Sequence, residues 1–180
     1  MTKGFRGEAL ASIAAIAQVE LKTKRREESL GTLLKIEGSK TIEQEPISTN
    51  DGTSFSIKNL FFNVPARRNF LKSDATEMGH ILDEFLRVAM AHPNIRFELV
   101  HNGKQLFTLP ESTHRQRIVG VLGSKTNDRL VPVNEKTEVV TFSGFVGKPE
   151  FAKRKKGEQF FFVNNRFIKS GYLHLSLIHI

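Results

Sequence analysis

The segment from Asp74 to Pro93 constrains the fold more than any other part of the chain. Met78, Ile81, Leu82, Phe85 and Ala89 recur at the three- and four-residue spacing that puts them on one helical face. Asp74 followed three residues later by Glu77 has the form of a capping box, and Pro93, which has no amide proton, stops the helix. A stripe of that length has to be buried against another element. On both sides the chain offers strands. Val19, Leu21 and Thr23 alternate as one strand face, and Leu34 and Ile36 mark a second after the polar turn Glu27-Glu28-Ser29. Residues 53–57 form a third, opened by Asn50-Asp51-Gly52. Downstream, residues 96–101 and 105–109 flank Asn102-Gly103, the strongest short hairpin signal. Hairpins interrupted by helices predict an α+β fold with antiparallel pairing.

The remaining segments fill in that outline. Gly4-Phe5-Arg6-Gly7 reads as a loop entering a helix whose face is Leu10, Ile13, Ala14 and Ala17. Residues 60–68 are apolar but broken by Pro65, and read as a packed loop. After Pro110 a polar stretch signals a linker or a new domain, with a short helix near 113–122 and strands near 139–146 and 159–163.

Composition narrows the chemistry. The 180 residues include no cysteine, which excludes disulfides, thiolate metal sites and cysteine nucleophiles. No apolar run approaches the ~20 residues that cross a bilayer, so no membrane partner is expected and the chain reads as soluble and cytoplasmic. Twenty-seven Lys and Arg against nineteen Asp and Glu give a net charge of +8. That balance suits a polyanionic partner, and equally a solubilising surface. Basic residues cluster at residues 22–26, at Arg67-Arg68 and at Lys153-Arg154-Lys155-Lys156. His80, His92, His101, His114, His174 and His179 are scattered without metal-ligand spacing, so no metal site is expected within the chain.

Three places can carry function. In Gly4-Phe5-Arg6-Gly7-Glu8-Ala9-Leu10, two glycines ahead of a helix allow a row of amides aimed at an anion, and Arg6 adds a mobile positive charge. The same spacing fits a glycine turn before an ordinary helix. It is neither a Walker loop nor a dinucleotide fingerprint. In Asp51-Gly52-Thr53, a hydroxyl past a glycine can reach a nucleobase, or the triplet is a plain turn. Finally, the basic tetrad at residues 153–156 precedes Phe160-Phe161-Phe162, whose rings point to both faces of a strand and read as core. The tetrad suits phosphate contacts or a solvated charge run. Arg166 lies just past that strand beside Asn165, which tolerates the left-handed region, and can be held toward a phosphate.

Together these residues resemble a known family. Residues 3–13, Lys3-Gly4-Phe5-Arg6-Gly7-Glu8-Ala9-Leu10-Ala11-Ser12-Ile13, are similar to the third ATP-binding motif of MutL DNA mismatch-repair proteins. These belong to the GHKL ATPase superfamily shared with gyrase B, Hsp90 and histidine kinases. Asp51-Gly52-Thr53 falls where a fourth motif would, and residues 60–71 resemble the mismatch-repair block that follows it. Phe161-Phe162-Val163-Asn164-Asn165-Arg166 resembles the core strand of the transducer domain, which is like ribosomal protein S5 domain 2. Asn69, where a basic residue is more usual, and Asn165, in place of glycine, depart from the pattern.

The resemblance implies the C-terminal part of a GHKL-type ATPase α/β sandwich over residues 1–110 and the first part of an S5-like transducer over 111–174. Residues 4–10 would be the ATP lid with amides on the triphosphate, Gly52 and Thr53 would line the adenine, and Arg166 would face DNA. ATP and Mg2+ would be the cofactors. DNA, a second copy of the protein, a mismatch-recognition protein and downstream repair factors would be its partners. The catalytic glutamate, magnesium-binding asparagine and adenine-reading aspartate belong to the first two motifs, expected upstream of Met1, so the chain alone is expected not to hydrolyse ATP. Leu175-Ser176-Leu177-Ile178-His179-Ile180 departs from the family pattern and resembles a translated sequencing adapter, so residues 175–180 are expected to be artefactual. The competing readings are a non-catalytic S5-like nucleic-acid-binding module and a structural ribosome-associated domain.

Overall fold

The computed structural model describes residues 8–152 and 158–172. By packing, the chain divides into two units, Met1–Glu77 and Met78–Ile180. Every strand pair is antiparallel, as the hairpin signals predict. Among the described residues no helix is long and apolar enough to cross a membrane.

The first unit is one helix on a four-stranded sheet. Helix α1 (Glu8–Ile16) leads directly into β1 (Gln18–Lys24), followed by β2 (Gly31–Glu37), β3 (Lys40–Ile47) and β4 (Gly52–Lys58). The sheet order is β3-β2-β1-β4. Its core is small: Ala14, Ala17 and Val19 are buried, with Ile13 and Ile36 packed against them. Ala17 is 0% exposed, and its methyl group is what permits helix and strand to reverse direction there so closely. Leu10, expected on that face, is instead 53% exposed. Among the described residues the core contacts of α1 begin only at Ile13. Gly31 is a site of close approach, since an added Cβ would lie 2.5 Å from the Thr23 carbonyl oxygen.

Strand β3 is absent from the sequence expectation. Its residues Lys40, Glu43 and Glu45 are charged and Pro46 lacks an amide proton, so it shows no apolar alternation. It is an edge strand, reached from β2 through Gly38 (φ +52°) and Ser39 (φ +66°), the two left-handed residues of a primed hairpin turn. Residues 60–68, expected as loop throughout, contain a helical turn, α2 (Pro65–Arg68). Proline at the first helical position starts the turn because its φ is already helical and its missing donor is not needed there.

The same segment closes the end of α1. Asn63 Nδ2 donates to the Ala15 carbonyl at 2.8 Å, the Phe61 amide to Ile16 at 2.7 Å, and the Ser39 amide to Ala14 at 2.9 Å. Three of the carbonyls that a helix leaves without internal donors are thus satisfied from outside it. Phe61 adopts φ +63° to do so.

The second unit is built on helix α3 (Asp74–Ala91), whose first turn belongs to the first unit. Its cap differs from the expectation. Ser73 precedes the helix and its hydroxyl accepts from the Thr76 amide at 3.4 Å, while Glu77 reaches back to the Lys72 amide at 2.8 Å. Ile81, expected in the buried stripe, is exposed, and burial concentrates at Ala89, Met90 and Ala91. Strands β5 (Phe97–His101) and β6 (Lys104–Leu109) form the predicted hairpin, with Asn102 and Gly103 both at positive φ. Phe85 meets Phe97 edge-on at 6.1 Å and Phe107 at 5.7 Å. Helix α4 (His114–Leu122) opens on a capping box between Thr113 and Gln116. Strand β7 (Leu130–Lys136), not anticipated from the sequence, pairs with β8 (Thr141–Gly147). Strands β9 (Phe162–Val163) and β10 (Arg166–Phe167) form a last, short hairpin.

Arg117 holds the unit together. It is 1% exposed and donates to the carbonyls of Ala89 (3.0 Å), Pro93 (3.0 Å), Ile95 (2.7 Å) and Pro110 (2.8 Å). Its guanidinium also lies 5.4 Å from the Phe97 ring centre. Among the described residues no carboxylate pairs with it. Burial pushes its pKa below the ordinary arginine value, and the four carbonyl dipoles offset the lost hydration.

Replacing Arg117 with Ala strands four carbonyl oxygens and is expected to cost on the order of 3 kcal/mol in urea denaturation. Arg117→Lys recovers less than half of this, because an ammonium cannot reproduce the planar fork. Asn63→Ala removes one exposed hydrogen bond, and amide exchange in α1 is expected to accelerate about fivefold, the equivalent of about 1 kcal/mol.

Candidate functional site

The lid candidate is described only in part. Gly4, Phe5, Arg6 and Gly7 lie outside the described residues, whereas Glu8, Ala9 and Leu10 form the exposed first turn of α1. First-turn amides have no acceptor within the helix and carry its positive end, the geometry that attracts a phosphate. The Glu8 carboxylate is compatible with the helix dipole and opposed to a phosphate, so it belongs to the helix rather than to a ligand. The other end of α1 is fastened by Ser39, Phe61 and Asn63.

Asp51-Gly52-Thr53 begins the edge strand β4. Asp51 pairs with Lys24 Nζ at 2.8 Å, and the Thr53 hydroxyl lies 2.8 Å from that of Thr23, its register partner on β1. Gly52 has φ +111°, and no heavy atom lies within 4 Å of where its Cβ would be. Glycine is required here by conformation, and the space beside it is open to a flat group. The Thr53 hydroxyl keeps one further hydrogen-bonding direction beyond Thr23. No hydrogen bond among the described residues joins residues 8–10 to residues 52–53.

The nucleic-acid candidate lies in the second unit. Lys153, Arg154, Lys155 and Lys156 lie outside the described residues. Arg166 is exposed and sits within β10 rather than past a strand end, because the chain turns back at once through Asn164 (φ +48°) and Asn165 (φ +62°). Both asparagines take up the left-handed conformation that the sequence allowed for Asn165. The phenylalanines pack on one another: the Phe167 ring is 5.9 Å from Phe162 and 6.3 Å from Phe160. Alternation along β10 then turns Arg166 to the face opposite that cluster.

The local electrostatics are those of surface pairs. Hydrogen bonding to Lys22 holds the Glu20 carboxyl below its ordinary range, and Glu43 raises the pKa of Lys35. Among the described residues no three His, Asp or Glu side chains converge as metal ligands. A groove of about 720 Å³ runs past Pro110, Thr113 and Arg115. Thr113 is engaged with Gln116 and Arg115 with Asn127, whereas the buried Ser112 hydroxyl finds no hydrogen-bond partner among the described residues. It contains none of the candidate residues.

Arg117 was not anticipated from the sequence. On α4 it shares a face with Gly120, whose added Cβ would meet the Leu109 side chain at 3.3 Å, a packing that no local sequence pattern reveals.

Comparison with known proteins follows the same lines. The family described as DNA mismatch repair protein, C-terminal domain, matches residues 118–179. The DNA mismatch repair protein MutL of Flavobacterium johnsoniae is 65% identical over 173 residues, covering 96% of this chain and 27% of that protein. The MutL of Bacteroides fragilis is 52% identical over 177 residues, covering 98% of this chain and 28% of that protein. Among solved structures, the Aquifex aeolicus MutL ATPase domain complexed with ADP superposes with a TM-score of 0.81 at 27% identity, over 96% of this chain and 67% of that one. The fold is accordingly the mixed α+β architecture of MutL-type GHKL ATPase domains, with its C-terminal portion corresponding to the S5-like transducer. The chain spans somewhat more than a quarter of the length of the curated relatives it matches. The chain belongs to the MutL family of DNA mismatch-repair proteins.

Proposed function

We propose that this chain is the lid-to-transducer segment of an ATP-driven DNA mismatch-repair mediator. The observation that carries this reading is the likeness, over 96% of the chain, to a MutL ATPase domain complexed with ADP. In this assignment residues 1–110 belong to the ATPase domain and 111–174 to the transducer, and the family match itself runs on to residue 179. Gly4, Phe5, Arg6, Gly7, Glu8, Ala9 and Leu10 form the lid. Its backbone amides hold the triphosphate and Arg6 neutralises part of its charge. Gly52 and Thr53 flank the adenine, supported by the open space beside Gly52. Arg166 and the tetrad Lys153, Arg154, Lys155 and Lys156 contact DNA phosphates, which need position and charge but no base reading.

The first-turn amides of α1 and the space beside Gly52 are compatible with a nucleotide. Among the described residues no three His, Asp or Glu side chains converge as ligands for magnesium. ATP, when bound, supplies the phosphate charge that draws the lid inward. With the C-terminal end of α1 tied at Ala14, Ala15 and Ile16, movement is confined to the N-terminal end. Lid closure would then present a surface to a second copy, and the two would enclose DNA. A mismatch-recognition protein and downstream repair factors would act on the closed pair.

The test is sedimentation of the full-length protein with a non-hydrolysable ATP analogue. The expected outcome is a nucleotide-dependent dimer, with Arg6→Ala raising the Kd for the analogue about tenfold or more through loss of one charge-assisted contact. Identical sedimentation with and without the analogue counts against the reading.

A further inference from the structure

The hairpin β9–β10 that carries Arg166 is too short to hold its own position. Each strand has two residues, and an isolated two-stranded hairpin is marginal in water even when longer. Beyond the Ile168 amide bond to the Phe161 carbonyl, what Phe167 packs on contributes to the hairpin's orientation. One side of that ring faces Phe160 and Phe162, within the same segment of chain. Another is covered from far away in sequence by Arg87 on α3, whose guanidinium carbon lies 4.6 Å from the ring centre. Arg87 is itself held on the helix. It pairs with Glu84 one turn back and lies 3.9 Å from Asp83. The two carboxylates keep the guanidinium plane from wandering, and a planar cation over an aromatic face is a directional contact.

We propose that Arg87 is a positioning residue for DNA binding: through Phe167 it fixes the hairpin on α3 so that Arg166 is presented at a set height and angle. This rests on the reading of Arg166 as a phosphate contact. Phe167 and Arg166 are adjacent in β10, so a tilt of the ring about the strand turns Arg166 with it. Arg87 itself need not touch DNA, since its guanidinium is occupied by the ring and by Glu84.

The test measures binding of the full-length protein to a fluorescein-labelled DNA duplex across a salt series. Arg166→Gln is expected to weaken binding and lower the salt slope by about one. Arg87→Met is expected to raise Kd about fivefold, as the loss of a partly desolvated cation–π contact would. Phe167→Leu, which leaves charge unaltered, should match it, and Arg87→Lys should return to within about twofold of the unsubstituted protein. The variant carrying both Arg87→Met and Arg166→Gln should bind no more weakly than Arg166→Gln alone. Multiplying effects in that double variant overturn the inference, because Arg87 then acts independently of Arg166. Unchanged binding in Arg87→Met beside weakened binding in Arg166→Gln also overturns it and leaves the DNA reading intact. Unchanged binding and salt slope in Arg166→Gln remove the DNA reading and this inference with it. Phe167→Leu and Arg87→Lys keep the comparison readable if Arg87→Met fails to fold.

Discussion

The carbonyl oxygens at the ends of α1 and α3 must find donors once they leave water, and much of the structure follows from how they do. At α1 the donors are the amides of Ser39 and Phe61 and the side chain of Asn63. At α3 the donor is Arg117, which takes the Ala89 carbonyl and three more from the chain that follows. A buried carbonyl without a partner costs about as much as a lost hydrogen bond, so the Arg117 arrangement is not optional, whereas at α1 the Asn63 bond is exposed and its loss costs less. Each ties distant sequence to a helix end: residues 39–63 in the first unit and residues 110–117 in the second.

That allocation separates rigid from movable parts. The hydrogen bonds that join α1 to the rest of the unit lie, among the described residues, at its C-terminal end. In α1 the core contacts begin at Ile13, leaving the first turn unpacked. The second unit is anchored differently. Arg117 fixes the end of α3 and the course of residues 93–110, while Arg87, farther up the same helix, meets Phe167. In each unit the satisfied polar groups thus lie at a helix end, apart from the candidate residues Glu8–Leu10 and Arg166.

What could be read in the sequence was what local chemistry decides. Asn102-Gly103, the stripe from Met78 to Ala89, the Thr113 start of α4 and the left-handed tolerance of Asn165 each depend on residues close in the chain. The glycine-flanked lid motif and the residues 60–71 block were legible by resemblance. Strand β3 was not, because an edge strand need bury neither face and so shows no alternation. Its one signal was the Gly38-Ser39 turn. Arg117 was hidden for another reason. A basic residue in a polar stretch looks solvated until the fold brings four carbonyls around it. The roles of Phe61 and Asn63 likewise depend on where α1 ends in space, which no window of sequence contains.

The four-stranded sheet has unequal margins. Along β3 the outward row carries Lys40, Glu43 and Glu45, and Pro46 interrupts its donors. Along β4 the corresponding margin offers Ser54 and Ser56 between exposed Phe55 and Ile57, with no proline or charge from Gly52 to Ile57. Charge and proline discourage strand addition, whereas a short apolar strand with unused amides accepts it. Among the described residues the sheet is therefore asymmetric across its width, charged and proline-bearing at β3 and uncharged from Gly52 to Ile57 at β4.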